Sequence, residues 1–421
     1  MAKYIVSNSG PLKGEVEISG SKNAVLPIMA AAILSDGKCE ITDVPELRDV
    51  EVMCNLLRSI GATVTENYPE NKVEIEMLGK IENEAPFGLV NKMRASVLIM
   101  GPLLAKTGKA KMPLPGGCAI GERPIDLHLK GFEALGADVV RGYDFVEASS
   151  EKLKGCTIYL DFPSVGATEN IMMATVLAEG TTIVENVAEE PEIVDLANFL
   201  NKMGAKIKGA GTDTLKIEGV ASLHGAKHSV IPDRIETGTF MIAAAITRGN
   251  VTIRNVLPNH VKPLIAKLKE CGVEVELPED ETIIVKADDL PLHPADIKTL
   301  PYPGFPTDMQ PQFMALLASI KGASVVVETV FENRFMHVRE LNRMGADIQT
   351  EGKQANVNGG RPLKGSKVIA TDLRAGAALV LAGLVAKGTT TVNEVYHIER
   401  GYSKFTEKMK GLGAIIKKVE D

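Results

Sequence analysis

"TVLAEGTTIVENV" (residues 175–187) decides the fold of this 421-residue chain. An apolar helical run reaches a charged residue, stops at Gly180 and passes straight into a strand pattern rich in Thr, Ile and Val. The same signature recurs with helix stops at Gly37, Gly108, Gly249, Gly322 and Gly388, followed by strands such as "NVTIRNV", "ASVVVETV" and "TTTVNEV". After each strand comes a second helical pattern, which closes on Gly61, Gly136, Gly204, Gly272, Gly345 or Gly413. A period of roughly 70 residues is too long for a solenoid and suits a βαβαββ-like unit.

The two helices of each repeat differ in kind. "AVLPIMAAAIL", "TFMIAAAI" and "AALVLAGLVA" are apolar all round and belong in a core, whereas "PELRDVEVMCNLLRSIG" keeps a polar face for solvent. Buried helices wrapped by sheets and outer helices predict an α/β fold of two inside-out barrel domains. Each would hold three repeats, with a ligand cleft between the domains. "PLKGEVEISG" (11–20) resembles "KLKGCTIYL" (152–160) and "PLKGSKVIA" (362–370), and each leads into an apolar helix. The last repeat stops at "GAIIKKVED" without its trailing strands, so residues 1–20 are expected to supply them. One lobe then comprises 1–20 plus 230–421. The other comprises 21–229 and carries a lid loop at 111–122.

Composition narrows the function. A net charge of −7 argues against a nucleic-acid surface, and no uninterrupted apolar run reaches membrane-spanning length. The opening "MAKYIVSNSG" lacks a signal-peptide pattern, and the five cysteines never form C-x-x-C, which fits a reducing cytoplasm. "HGAKH" (224–228) reads as a turn and not as a metal site, and "GAGTDT" (209–214) reads as a hairpin without dinucleotide-binding spacing. No metal, organic cofactor, nucleic-acid partner or membrane partner is expected.

Charges fall in register with the repeat. Lys22, Arg94, Arg234, Asp308 and Arg374 lie 14 or 15 residues ahead of their helix-stop glycines, and in the third repeat "SVGA" (164–167) fills that slot. Arg48, Arg123 and Arg400 precede the second glycine by 13 residues, and Arg334 precedes it by 11. Cations at a helix start oppose the macrodipole, so propensity alone does not select them. Together with outward-pointing N–H groups they make anion sites. Lys22, Arg94, Arg123, Arg334, Arg374 and Arg400 are therefore expected to gather around phosphate or carboxylate, and Arg48 and Arg234 to be structural. Asp308, an acid among cations, is the expected general base. Cys118 sits in the long link "KMPLPGGCAIGERP" (111–124), near Lys111, Arg123 and a helix start, where a thiol is expected to be reactive.

Seven stretches carry a resemblance: "GSKNAVLPIMAA", "PGGCAIGERPIDLHLKGFEALGA", "SVGATENIMMA", "FPTDMQPQ", "ENRFMHV", "TDLRAGAALVLA" and "HIERGY". From about residue 3 to 418 the chain resembles the UDP-N-acetylglucosamine 1-carboxyvinyltransferases of the EPSP synthase superfamily. The resemblance implies two inside-out α/β barrels. It also implies transfer of the enolpyruvyl group of phosphoenolpyruvate to the 3′-hydroxyl of UDP-N-acetylglucosamine, by addition and elimination, with release of phosphate. That is the first committed step of peptidoglycan synthesis. No cofactor is implied, and fosfomycin is implied as a covalent inhibitor of the thiol.

By the same resemblance Cys118 protonates the methylene carbon. Lys22, Arg94, Arg123 and Arg400 clamp phosphoenolpyruvate with Arg334 and Arg374 nearby, and Asp308 faces the sugar hydroxyl. Asn23, Pro124, Ile125, Asp126, Leu127, Ser164, Val165, Gly166 and Val330 are implied in substrate binding, and the run to His128 in the uridine and diphosphate site. The sister enzyme, 3-phosphoshikimate 1-carboxyvinyltransferase, uses the same donor but lacks the loop thiol. A catalytically dead paralogue is disfavoured because every expected residue is present.

Overall fold

A computed structural model describes residues 2–114 and 125–420. The chain divides into a central unit, Gly20 to Ile231, and a terminal unit formed by the stretch up to Ser19 and the stretch from Pro232 onward.

In the central unit the principal helices are α1 (Lys22–Ala31), α2 (Arg48–Ser59), α3 (Met100–Thr107), α4 (Asp126–Ala134), α5 (Val165–Thr175) and α6 (Pro191–Lys202). The apolar helices α3 and α5 pack together, α1 packs on α6, α2 and the 3-10 turn leading to α3, and Ile28, Met29, Leu103 and Met172 are all but closed to solvent. Burying one such side chain contributes about 1.5–3 kcal/mol, which is why the all-apolar pattern dictates an interior helix. Strands surround them in three sheets. Cys39–Thr42 lies between Lys227–Ser229, parallel, and Lys72–Glu76, antiparallel. Lys109–Pro113 pairs with Phe145–Ser149, and Thr181–Glu185 lies between Thr157–Tyr159 and Thr214–Glu218.

The terminal unit repeats the plan with α7 (Arg234–Ile246), α8 (Lys262–Glu270), α9 (Gln310–Ser319), α10 (Met336–Arg343), α11 (Leu373–Val385) and α12 (Phe405–Gly411). Here α7, α9 and α11 are the buried helices. Strand Lys3–Ser7 lies antiparallel between Thr389–Asn393 and Ile415–Val419, with Tyr4 opposite both Val392 and Lys418. Lys13–Glu17 runs parallel to Asn250–Arg254, and Ile297–Lys298 runs parallel to Gly322–Val327.

This is the expected α/β arrangement, helices inside and sheets outside. Among the described residues each unit keeps three separate sheets, with no continuous ladder closing them into one barrel.

The recurring glycines have two different causes. Gly180 adopts φ +87°, a left-handed turn that closes the short link between the end of α5 at Thr175 and strand Thr181–Glu185. At Gly249 the need is space, because a Cβ would stand 2.2 Å from the Leu12 carbonyl oxygen. The helix starts are also built deliberately. Ser21, Ser164, Asp233 and Asp372 cap α1, α5, α7 and α11 by accepting from backbone N–H groups. The segments before α3 and α9 wind as short 3-10 turns, Arg94–Ile99 and Thr307–Met309.

One local expectation changes. His228 of "HGAKH" is in strand Lys227–Ser229, where its Nε2 lies 2.9 Å from Asp195 Oδ1. Cys156 precedes strand Thr157–Tyr159 and directs its Sγ at the Ala134 carbonyl, 3.2 Å away. "GAGTDT" is the hairpin link between antiparallel strands Lys206–Lys208 and Thr214–Glu218.

Candidate active site

The terminal unit holds a compact charged cluster. Asp308 lies in the 3-10 turn Thr307–Met309 that opens into α9. Arg334 Nη2 donates to its Oδ1 at 3.0 Å, and Arg374 donates to its Oδ2 through Nε at 3.2 Å and Nη2 at 3.1 Å. Both arginine side chains are almost closed to solvent, while the Asp308 side chain remains 28% exposed. The carboxylate is thus the open face of an otherwise buried ion cluster. Among the described residues Arg334 Nε and Arg374 Nη1 are buried without a hydrogen-bond partner, which leaves donor capacity for an anion.

Arg374 is positioned by its helix and by an aromatic ring. It occupies the first turn of α11, under the Asp372 cap, and its guanidinium lies 5.3 Å from the centre of the Tyr402 ring. Burial alone would lower its pKa, but Tyr402 and Asp308 outweigh that and hold the guanidinium above its ordinary range. Burial pushes the Tyr402 phenol up, and its hydroxyl lies 2.8 Å from Thr239 Oγ1 and accepts from Gln312 Nε2 at 3.2 Å. Gln312 also donates to the Asp308 carbonyl at 3.0 Å, so the turn carrying Asp308 and the ring beside Arg374 share one anchor.

His337 lies fully buried near Arg334. Burial pushes it down to about 4, with Arg334 assisting and Asp372 opposing. Arg400 follows the short helix Tyr396–Glu399; burial lowers the pKa of His397, with the Arg400 charge adding to it. Val330 donates its N–H to Glu328 Oε1 at 2.8 Å.

The central unit gathers its candidates differently. Lys22 is the first residue of α1, and its Nζ lies 2.7 Å from the buried Asp49 Oδ2 in the first turn of α2; Asn23 follows, half-buried. Arg94 opens the 3-10 turn leading to α3. Ile125, Asp126, Leu127 and His128 form the start of α4, and Ser164, Val165 and Gly166 form the start of α5.

His128 ties these starts together. Gly101 N donates to Asn170 Oδ1 at 2.6 Å, so Asn170 Nδ2 is the donor to both the Val97 carbonyl and His128 Nδ1, each at 2.9 Å. The His128 proton is therefore assigned to Nε2. A Cβ on Gly166 would stand 3.3 Å from His128 Cε1 and 3.5 Å from Nε2. Burial pushes His128 down to about 4, and the Arg94 charge adds to the shift. The start of α5 is thus faced by the neutral His128 ring, which itself feels the Arg94 charge. Asp126 is half-exposed and paired with Arg141 at 2.8 Å, on the surface.

The structure thus joins Asp308, Arg334 and Arg374 directly, and Arg94 with the starts of α4 and α5 through His128. Cys118, Arg123 and Pro124 lie outside the described residues. Arg48 is exposed at the start of α2, and Arg234 begins α7 with its guanidinium 5.7 Å from the Tyr302 ring centre. Sequence reading missed Asp49, Asn170, Glu328 and Tyr402. Asp49 had a readable signal, an acid one position after Arg48 in the helix-start register.

A profile of the EPSP synthase (3-phosphoshikimate 1-carboxyvinyltransferase) family matches residues 6–409. The chain is 60% identical over 421 residues, all of both chains, to UDP-N-acetylglucosamine 1-carboxyvinyltransferase 2 of Carboxydothermus hydrogenoformans. It is 60% identical over 415 residues to UDP-N-acetylglucosamine 1-carboxyvinyltransferase 1 of Caldanaerobacter subterraneus subsp. tengcongensis, covering 98% of this chain and 99% of that one. Among solved structures, the enolpyruvyl transferase NikO of Streptomyces tendae matches with a TM-score of 0.90 at 25% identity, over 99% of each chain. An EPSP synthase of Acinetobacter baumannii shares the fold over 100% of each chain, with a TM-score of 0.76 at 20% identity. The chain belongs to the EPSP synthase family, in its UDP-N-acetylglucosamine 1-carboxyvinyltransferase branch.

Proposed function

We propose that the protein transfers the enolpyruvyl group of phosphoenolpyruvate to the 3′-hydroxyl of UDP-N-acetylglucosamine and releases phosphate, the first committed step of peptidoglycan synthesis in the cytoplasm. The single observation that carries this over the sister reaction on shikimate 3-phosphate is the full-length likeness to enzymes of that name. The geometry supports it at the level of chemistry. Phosphoenolpyruvate presents a phosphate and a carboxylate, and planar guanidinium groups match both better than ammonium groups do.

In this reading Asp308 takes the proton of the 3′-hydroxyl as that oxygen bonds to C2 of phosphoenolpyruvate. Cys118 delivers a proton to C3, which completes a tetrahedral ketal. Loss of phosphate and of one C3 proton then restores the double bond as the enolpyruvyl ether. Phosphoenolpyruvate binding to Lys22, Arg94, Arg123 and Arg400, with Arg334 and Arg374 close by, shares the two guanidiniums that hold Asp308 and raises its basicity. Asn23, Pro124, Ile125, Asp126, Leu127, Ser164, Val165, Gly166 and Val330 hold the sugar nucleotide, with the diphosphate at the start of α5.

The test follows phosphate release from the purified protein. Release that requires both substrates, and stops after treatment with fosfomycin, supports the reading and the role of Cys118. Release with shikimate 3-phosphate in place of the sugar nucleotide overturns it.

A further inference from the structure

We infer that Glu328 is a positioning residue for this reaction, holding Asp308 and Arg334 in register through a single buried carboxylate; the inference rests on the reaction proposed above. Glu328 follows strand Gly322–Val327 and is 1% exposed. Its Oε1 accepts from Thr299 Oγ1 at 2.8 Å, Val330 N at 2.8 Å and Phe331 N at 3.3 Å. Its Oε2 accepts from Thr307 Oγ1 at 3.0 Å. Each of these contacts presents a donor, which suits the acceptor-only chemistry of a carboxylate.

The partners matter more than their number. Thr307 is the residue before Asp308 in the 3-10 turn. Val330 and Phe331 begin the turn that carries Arg334, whose guanidinium lies 5.7 Å from the Phe331 ring centre. Thr299 belongs to a third segment, fixed to the same place because its Oγ1 accepts from Thr329 N at 2.9 Å and its carbonyl accepts from Thr329 Oγ1 at 2.6 Å. Both ends of the Asp308–Arg334 pair are therefore hung from one side chain, and neither end is fixed to the other by neighbouring sequence. Glu328 acts through Thr307 and through the turn that begins at Val330 and Phe331. Its effect is on where Asp308 stands, and displacement of a catalytic group by about 1 Å can cost on the order of 100-fold in rate.

Three variants test this, each read by phosphate release and by thermal melting. Glu328→Ala removes all four acceptor contacts. Thr307→Val cuts only the link to the Asp308 turn and nearly preserves shape. Glu328→Gln keeps Oε1 for its three donors and can donate to Thr307 Oγ1.

The expected result is a kcat loss of roughly 100-fold in E328A and roughly 10-fold in T307V. KM for phosphoenolpyruvate stays within about twofold, and E328Q recovers most of the rate. If E328A fails to fold, T307V and E328Q decide. Melting temperatures that fall while kcat per folded enzyme is kept would make Glu328 merely structural and overturn the inference. Wild-type protein that releases no phosphate from the two substrates would overturn the reaction itself, an outcome visible before any variant is made.

Discussion

The same slot of the same repeat does opposite work in the two units. At the starts of their buried helices the central unit places Lys22, Arg94 and the Ser164–Gly166 turn, whereas the terminal unit places Arg234, Asp308 and Arg374. The central set holds two cations and a helix start capped by Ser164. The terminal set places a carboxylate, Asp308, against the guanidinium of Arg374, with Arg334 on its other oxygen. Each unit also buries a neutral histidine beside an arginine, His128 by Arg94 and His337 by Arg334. His128 is held by Asn170, while His337 is fully buried under the influence of Arg334 and Asp372. The fold supplies the position, and side-chain identity sets the charge that stands there.

The contrast breaks most readily at Asp308. Asp308→Asn is expected to cut turnover by about 10²- to 10⁴-fold while the protein still binds the sugar nucleotide, measured by phosphate release and calorimetric titration. Near-normal turnover would remove Asp308 from the role of base. Next comes Arg374→Ala, which leaves Asp308 with Arg334 and takes the cation from the Tyr402 ring. A loss of about 2–3 kcal/mol is expected in urea unfolding, below the range for a fully buried pair because Asp308 is partly exposed. A change within error would mean the cluster is not load-sharing in the folded state.

The two histidines sharpen the comparison through pH. Both are pushed down to about 4 in the folded protein, against about 6.5 when unfolded. Above pH 6.5 both states are neutral and nothing is lost. Between about 6.5 and 4 the unfolded chain takes up protons that the folded chain refuses, so stability falls as pH falls, by roughly 3 kcal/mol per histidine at most. His128→Gln is expected to flatten that part of the acid slope in urea unfolding across pH, and an unchanged slope would contradict it. The smallest expected effect is at Gly166→Ala. The new Cβ meets His128 at 3.3 Å and weakens sugar-nucleotide binding by about fivefold, with kcat nearly unchanged.

Much of the fold was legible because repetition and period carry it. All-apolar runs such as "AALVLAGLVA" have no polar face to show water, and helix-stop glycines mark where strands begin. The helix-start charges were legible for the same reason, since register made Asp308 stand out among cations. What repetition does not carry stayed hidden. Glu328 reads as an ordinary acid after a strand, and only the folded chain brings Thr299, Thr307 and Val330 to its oxygens. Asn170 sits in the largely apolar α5 and Tyr402 in the polar run "HIERGYSKF", and their partners come from other helices. His228 looked like part of a turn because Asp195 is distant in sequence.

The parallel strand at the edge of each unit has a consequence for heredity. Lys13–Glu17 precedes α1 in the chain but pairs with Asn250–Arg254, and Lys227–Ser229 precedes α7 but pairs with Cys39–Thr42. Within the terminal unit the Ser19 carbonyl accepts from Asp233 N at 2.9 Å. A gene cut and rejoined from Ser19 to Pro232 would therefore encode a chain in which Lys13–Glu17, α7 and Asn250–Arg254 run on as one ordinary βαβ unit. Every strand pairing of the terminal unit would survive. The excised piece would be a circular permutant of the same plan, its first strand arriving last. Two ancestral half-genes fused in tandem, each lending its opening strand to the other, would leave this pattern behind.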